Sequence, residues 1–460
     1  MAKTAKPAAW RRLVDWIDDR YPLTNTWEIH ASKYYAPKNF NFWYYFGSLA
    51  ILVLVVQLVT GIFLTMHYKP DVSLAFGSVE YIMRDVEWGW LLRYMHSTGA
   101  SLFFVVIYLH MFRAFLYGSY RGPRELLWIV GVVIFIALMA EAFMGYLLPW
   151  GNMSYWGAQV IISLFDAIPV IGPGLAEWLR GDFVVSDATL TRFFALHVIA
   201  IPLVLVMLVF VHIVALHKVG SNNPDGIEIK KKKDTKGIPL DGIPFHPYYT
   251  VKDLVGAAVF LIVGAAIMFF APEMGGWFLE HDNFIPANIL QTPQEIKPLW
   301  YFTPFYSILR ATTEQMVVWV LTPLAVLMAL LIFFSVRTGR AKIGVVVVAV
   351  LVLAGFSVLE AKVWGVLLMG LALGLFFLVP WLDRSPVASI RYRGWMYKAA
   401  LALFTAAFVL LGYLGTQPAS GLNVVLAQIG TVVYFLFFLL MPWYTALDRT
   451  KPVPARITWK

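Results

Sequence analysis

The chain has 460 residues, 60% of them hydrophobic and 14% charged, which excludes an ordinary soluble domain and marks an integral membrane protein. Without a single cysteine it can hold no disulfide, no cysteine-ligated iron–sulfur cluster and no C-x-x-C-H haem attachment. The formal charge of +9 would suit nucleic acid in a soluble protein, but in a membrane chain such an excess collects in loops on one side of the bilayer.

In chain order, Met1 to Lys6 lack an apolar signal-peptide core, and Trp10-Arg11-Arg12-Leu13-Val14-Asp15-Trp16 reads as a short amphipathic helix on the cytoplasmic surface. Apolar stretches of membrane-spanning length follow at 42–66, 90–116, 126–148, 191–215, 251–271, 316–336, 343–360, 362–382, 396–415 and 424–443. The expected fold is therefore all-α, a polytopic bundle of about ten transmembrane helices. With the N-terminus inside, loops 117–125, 216–250, 337–342 and 383–395 and the tail to Lys460 are cytoplasmic. They carry Arg121, Arg124, Lys230 to Lys233, Arg337, Arg340, Lys342, Arg384, Arg391 and Arg393. The opposite loops carry Asp71, Glu80, Asp85, Glu87, Glu273, Glu280, Asp282 and Glu295. This asymmetry sets both termini on the cytoplasmic side, and basic charge here marks topology and the lipid bilayer, not nucleic acid.

Two spans carry paired histidines. His96 and His110 are fourteen residues apart, and His197 and His212 fifteen. Fourteen residues is nearly four helical turns, so a pair projects from one face with its members roughly 21 Å apart along the axis. An imidazole inside hydrocarbon is costly and by default functional. Both spans run the same way, so His96 is level with His197 and His110 with His212. Facing each other, they make two stacked bis-histidine sites, the geometry of two haems in a membrane, with His96, His197, His110 and His212 as iron ligands. Zinc fits less well, because carboxylate and thiolate co-ligands are missing at those depths. Gly47 and Gly61 in the first span, and Gly131 and Gly145 in the third, repeat the period of fourteen and offer notches for a flat porphyrin. Arg93 and Arg113 sit three residues from a ligand each, at the membrane edges, where haem propionates need cations. The division expected is a di-haem four-helix domain at 1–225, a cytoplasmic linker at 226–250 around the lysine run, and a second helical half at 251–460.

Longer motifs carry a resemblance. Leu92-Arg93-Tyr94-Met95-His96-Ser97-Thr98-Gly99-Ala100-Ser101, Gly145-Tyr146-Leu147-Leu148-Pro149-Trp150-Gly151-Asn152-Met153-Ser154, Tyr155-Trp156-Gly157-Ala158, Arg192-Phe193-Phe194-Ala195-Leu196-His197 and Lys297-Pro298-Leu299-Trp300-Tyr301-Phe302 are together highly specific. The chain resembles the cytochrome b family, the core of the cytochrome bc complex, along nearly its whole length. The resemblance implies two non-covalent b haems, low-potential outside and high-potential inside. It implies quinol oxidation at an outer pocket lined by Tyr146, Gly157, Pro298 and Tyr301, and quinone reduction near the inner haem with His217, Lys252 and Asp253 as polar contacts. It also implies a Rieske iron–sulfur protein and a membrane-anchored c-type cytochrome as partners, a homodimeric assembly, and here a bacterial plasma membrane. The rival readings are a di-haem anchor of another quinone-linked dehydrogenase and a proton-coupled transporter.

Three departures from the family pattern stand out. Leu299 occupies the place of the family's quinol-site glutamate, so a carboxylate must come from elsewhere, with Glu280 and Glu295 the candidates. The fourth span spaces its histidines by fifteen, and Pro202 between them is expected to break the helical ladder locally. About fifty residues intervene between the segment ending at Ala311 and the Lys362-Val363-Trp364-Gly365 helix, and their two apolar runs around Arg337-Thr338-Gly339-Arg340-Ala341-Lys342 read as an inserted hairpin over 316–360.

Overall fold

A computed structural model describes residues 9–458, so Met1 to Lys6 and Lys460 lie outside the described residues. Among the described residues ten helices are long and apolar enough to cross a membrane: Phe42–Thr65, Gly89–Tyr117, Glu125–Leu147, Asp187–Val219, Phe245–Phe270, Glu314–Ser335, Gly339–Val358, Ala361–Leu382, Trp395–Leu414 and Gly421–Leu439. In hydrocarbon every backbone N–H and C=O must be satisfied within the chain, and a helix does this with no outside partner. The protein is thus a multi-pass, all-helical membrane protein, with a helix at Ala9–Asp18 whose Trp10, Leu13 and Trp16 are exposed.

In the fourth span the regular ladder is interrupted just ahead of Pro202, while the helix stays continuous: it runs from Asp187 to Val219 through a π-turn at Leu196–Ala200, where Ile201 N–H bonds the carbonyl of Leu196 five residues back. Pro202 sits in the first turn of the α-helix that resumes at Ile201, where its missing N–H costs little. One residue is worth about 100° of rotation, so fifteen would overshoot four turns by about 60°. The wide turn takes up the extra residue and restores the phase of a fourteen-residue spacing.

The first four spans form one bundle, the second packing on the first and the fourth on the third. Spans eight to ten pack around the helix Thr303–Ala311, with Phe404, Tyr434, Phe437 and Phe438 in the aromatic core. The sixth and seventh spans pack on each other as a hairpin, and no residue of Gly339–Val358 is buried.

One end of the bundle is clipped by ion pairs. An antiparallel ribbon joins Tyr35–Pro37 to Gly242–Pro244. Beside it, Asp241 accepts from Arg456 at 2.7 and 3.0 Å and pairs with Lys38 at 3.0 Å. Asp225 gathers Asn39, Arg391, Tyr392 and Thr458. Segment 226–250 is therefore tied to both terminal regions.

Candidate functional site

The second and fourth spans bring the four histidines together in pairs. The ring centroids of His96 and His197 are 6.1 Å apart, and those of His110 and His212 are 6.5 Å apart. Two imidazoles on one metal, each with a metal–nitrogen bond of about 2.0 Å, need a separation near this. Behind each ring lies one of the four glycines. A Cβ at Gly47 would lie 3.4 Å from His110 Cε1, at Gly61 3.2 Å from His96 Cε1 and at Gly131 3.3 Å from His212 Cε1, while at Gly145 it would overlap the His197 ring. The glycines thus let the first and third spans close up behind the rings.

Tautomers are fixed on the outer pair. Thr60 Oγ1 donates to Val56 O at 2.7 Å, so its lone pair accepts from His96 Nδ1–H at 2.9 Å. His197 Nδ1 stands 2.9 Å from the carbonyl oxygen of Glu141 and 3.0 Å from its Oε1, two acceptors that keep the proton on Nδ1. In both rings Nε2 keeps its lone pair for a metal, the arrangement expected of ligating histidines. Glu141 also corrects the reading that carboxylates are missing at histidine depth: it stands inside the third span, four residues before Gly145. Among the described residues no cluster of three or more His, Cys, Asp or Glu could hold a bare metal ion.

Each pair borders its own cavity. The outer one, about 530 Å³, is lined by Gly61, Arg93, His96, Glu141, Gly145, Tyr146, His197, Leu299 and Tyr301 among others. The inner one, about 490 Å³, borders Gly47, His110, Arg113, Gly131 and His212 and continues to His217, Lys252 and Asp253. Both volumes lie in the range of ligand sites, about 300–1,000 Å³. Arg113 lies over the Tyr44 ring at 5.0 Å, and its buried Nε has no hydrogen-bond partner, so a carboxylate-bearing group would find a donor there. Glycine notches, paired imidazoles with centroids 6.1 and 6.5 Å apart and, at the inner level, this unused donor fit a haem held between two histidines.

Beyond the outer cavity, the helix Asn152–Asp166 is stapled to the loop after the fifth span. Ser154 N donates to Asn283 Oδ1 at 2.9 Å and Asn152 N to Ile285 O at 2.9 Å, and a side chain at Gly151 would collide with Asn283. This fixes Glu280, 5% exposed, whose Oε2 accepts from Tyr146 Oη at 2.7 Å. Burial pushes the Glu280 carboxyl up to about 7, the Tyr146 hydrogen bond only partly offsetting it. On its far side lies a cavity of about 420 Å³ shared with Glu295, Pro298, His281 and Asp282. Glu295 itself is exposed and is not brought to Tyr146. Tyr301 is buried, stacked on Phe104 at 3.9 Å, and a Cβ at Gly157 would touch Tyr146 at 3.8 Å.

At the inner end, three polar residues were missed in the sequence. His30 stacks on His217 with Nδ1 to Nδ1 at 2.7 Å, and Tyr34 packs on the same ring at 4.6 Å. Arg124 borders the cavity but is already held by Glu228 at 2.5 and 3.0 Å and by Gly220 O at 2.8 Å. Lys252 lies over Tyr249 at 5.4 Å. Arg124 carried a signal, a cation at a span's start; His30, in a surface segment, carried none.

Residues 31–220 match the family described as cytochrome b/b6/petB, and residues 286–435 the cytochrome b C-terminal/b6/petD family. Cytochrome b of Allochromatium vinosum is 57% identical over 449 residues, covering 97% of this chain and 98% of that one. Cytochrome b of Rhodospirillum rubrum is 44% identical over 454 residues, covering 98% of each. A solved chain titled hyperthermophilic respiratory Complex III superposes with a TM-score of 0.79 at 33% identity, covering 94% of this chain and 99% of that one. With identity this high along nearly the full length, over a bundle built on paired histidines and glycines, this chain belongs to the cytochrome b family.

Proposed function

We propose that this chain is the core subunit of a quinol–cytochrome c oxidoreductase of the bc1-type complex III. It oxidises quinol beside the outer histidine pair, reduces quinone beside the inner pair and so builds proton-motive force. The single observation that carries this is the pair of facing imidazoles at each of two levels, 6.1 and 6.5 Å between centroids, each backed by a glycine. Haem b follows from the family. Two non-covalent haems, on His96 with His197 and on His110 with His212, would supply one-electron carriers between the two faces. Arg93 and Arg113 would hold their propionates.

The residues then divide the work. Tyr146, Tyr301, Gly157 and Leu299 wall the outer quinol position. A quinol hydroxyl there gives a proton to Tyr146 Oη, whose own proton passes along the existing hydrogen bond to Glu280 Oε2. Glu280, with a carboxyl near 7, is in part ionised at neutral pH, so it can take that proton and then release it to the aqueous side, past Glu295 and Pro298. Of the two electrons, one leaves to a high-potential acceptor and one goes inward. This cysteine-free chain cannot hold an iron–sulfur acceptor of its own, so a Rieske iron–sulfur protein and a membrane-anchored c-type cytochrome are the partners, in a homodimeric complex. At the inner cavity His217, Lys252 and Asp253 would contact the quinone and pass it protons. The setting is a bacterial plasma membrane with both termini cytoplasmic, and the chain divides at 226–250 into a di-haem half, 1–225, and a half, 251–460, that completes the outer site. The match over 286–435 favours this reading over a shorter di-haem anchor.

A reduced-minus-oxidised spectrum of the purified complex tests the haems: b-type α bands are expected, and their absence overturns the reading. Glu280→Gln tests the proton route. Quinol oxidation should fall on the order of 10²-fold. The native rate should climb as pH rises through about 7, because only the ionised carboxylate can accept a proton, and this limb should vanish in the variant. Glu295→Gln should behave as native. Unchanged turnover in Glu280→Gln removes Glu280 from the route.

A further inference from the structure

The two haem levels differ in what stands behind their ligands. Thr60, a neutral hydroxyl, accepts from His96, whereas His197 meets a carboxylate oxygen, Glu141 Oε1, at 3.0 Å besides a backbone carbonyl. Among the described residues no carboxylate is hydrogen-bonded to His110 or His212. Glu141 sits inside an apolar span, where an ionisable side chain is expensive to keep. Its side chain and that of His197 are each 15% exposed, and its second oxygen, Oε2, is buried with no partner. Among the described residues no cation holds the carboxyl group, and its one side-chain polar engagement is with the ligand ring.

Resting on the haem assignment above, we propose that Glu141 is a positioning residue for His197 that strengthens its Nε2 as an axial ligand and holds the outer haem at low potential. An imidazole whose Nδ1–H is drawn toward a carboxylate is the more basic donor at Nε2. A stronger donor favours the higher oxidation state of the metal, so the outer level takes an electron less readily than the inner. The carboxylate therefore sets the downhill direction for electrons from outer level to inner. It also fixes the orientation of the ring against Gly145, where a side chain would collide.

The test is an optical redox titration of the b-type bands in the intact complex, with electron paramagnetic resonance of the ferric outer haem as second readout. Glu141→Gln keeps the shape and replaces the carboxyl group with an amide; Glu141→Thr removes the reach. In both variants the outer haem's potential should rise, changing the electron distribution between the two haems about tenfold or more, which for a one-electron couple is about 59 mV. The inner potential should stay put, and the outer resonance should move toward that of a weaker imidazole donor. Unmoved outer potentials, equal shifts at both levels, or selective loss of the outer band in both variants would overturn the proposal, the last because it would leave Glu141 a packing role only. Absence of b bands from the native complex would instead overturn the haem assignment.

Discussion

Gly145 shows how much one hydrogen atom decides. The third span approaches His197 so closely at this position that any Cβ would overlap the ring, while a Cβ at Gly47 would sit 3.4 Å from His110 and need only small adjustment. Gly145→Ala should therefore cost the complex its outer haem, about half its haem b per chain, whereas Gly47→Ala should keep both. Haem content per protein and the α bands check this, and equal behaviour of the two variants would remove the steric account. The glycine period was legible because close approach has only one residue to use. Glu141 was overlooked, although it is a lone acid in an apolar run, and its partner was not legible at all, since helix rotation decides which neighbour it meets. The choice between Glu280 and Glu295 was illegible for a related reason. Both lie in one loop, and only the staple through Asn283 turns the first inward to Tyr146 and leaves the second in water.

At the scale of elements, hydropathy located all ten spans to within a few residues, because an apolar run of such length has no other stable place. The helical extension Asp187–Leu190 and the π-turn escaped it, as hydropathy is blind to backbone hydrogen bonding. The hairpin of Glu314–Ser335 and Gly339–Val358 makes a sidedness prediction. With no native cysteine to interfere, Arg340→Cys should react with an impermeant thiol reagent from the same face as Lys231→Cys and be shielded from the face that labels Asp71→Cys. Labelling of Arg340→Cys from the Asp71 side would show that the hairpin does not dip to the cytoplasmic side.

Across the whole molecule, Asp241 ties three distant parts of the chain: Lys38 ahead of the first span, its own segment 226–250, and Arg456 near the C-terminus. The Arg456 hydrogen bonds, with Lys38 beside them, hold its carboxyl down at about 2. A depressed carboxyl stabilises the fold fully above about pH 4, and that contribution is lost as pH falls toward 2. Asp241→Asn should destabilise the complex at pH 7 by on the order of 2 kcal/mol for charge-assisted hydrogen bonds forfeited, seen as a lower thermal unfolding temperature. An unchanged unfolding temperature would show the clip to be ornamental. No residue spacing announced this clip, because its members lie hundreds of positions apart.

The wide turn at Leu196–Ala200 bears on how kinship is judged among such chains. Fifteen positions with a π-turn and fourteen without one aim their imidazoles alike, so an indel of a single residue here is silent in three dimensions. The same slip within Gly89–Tyr117, which has no comparable slack, would swing His110 away from His212.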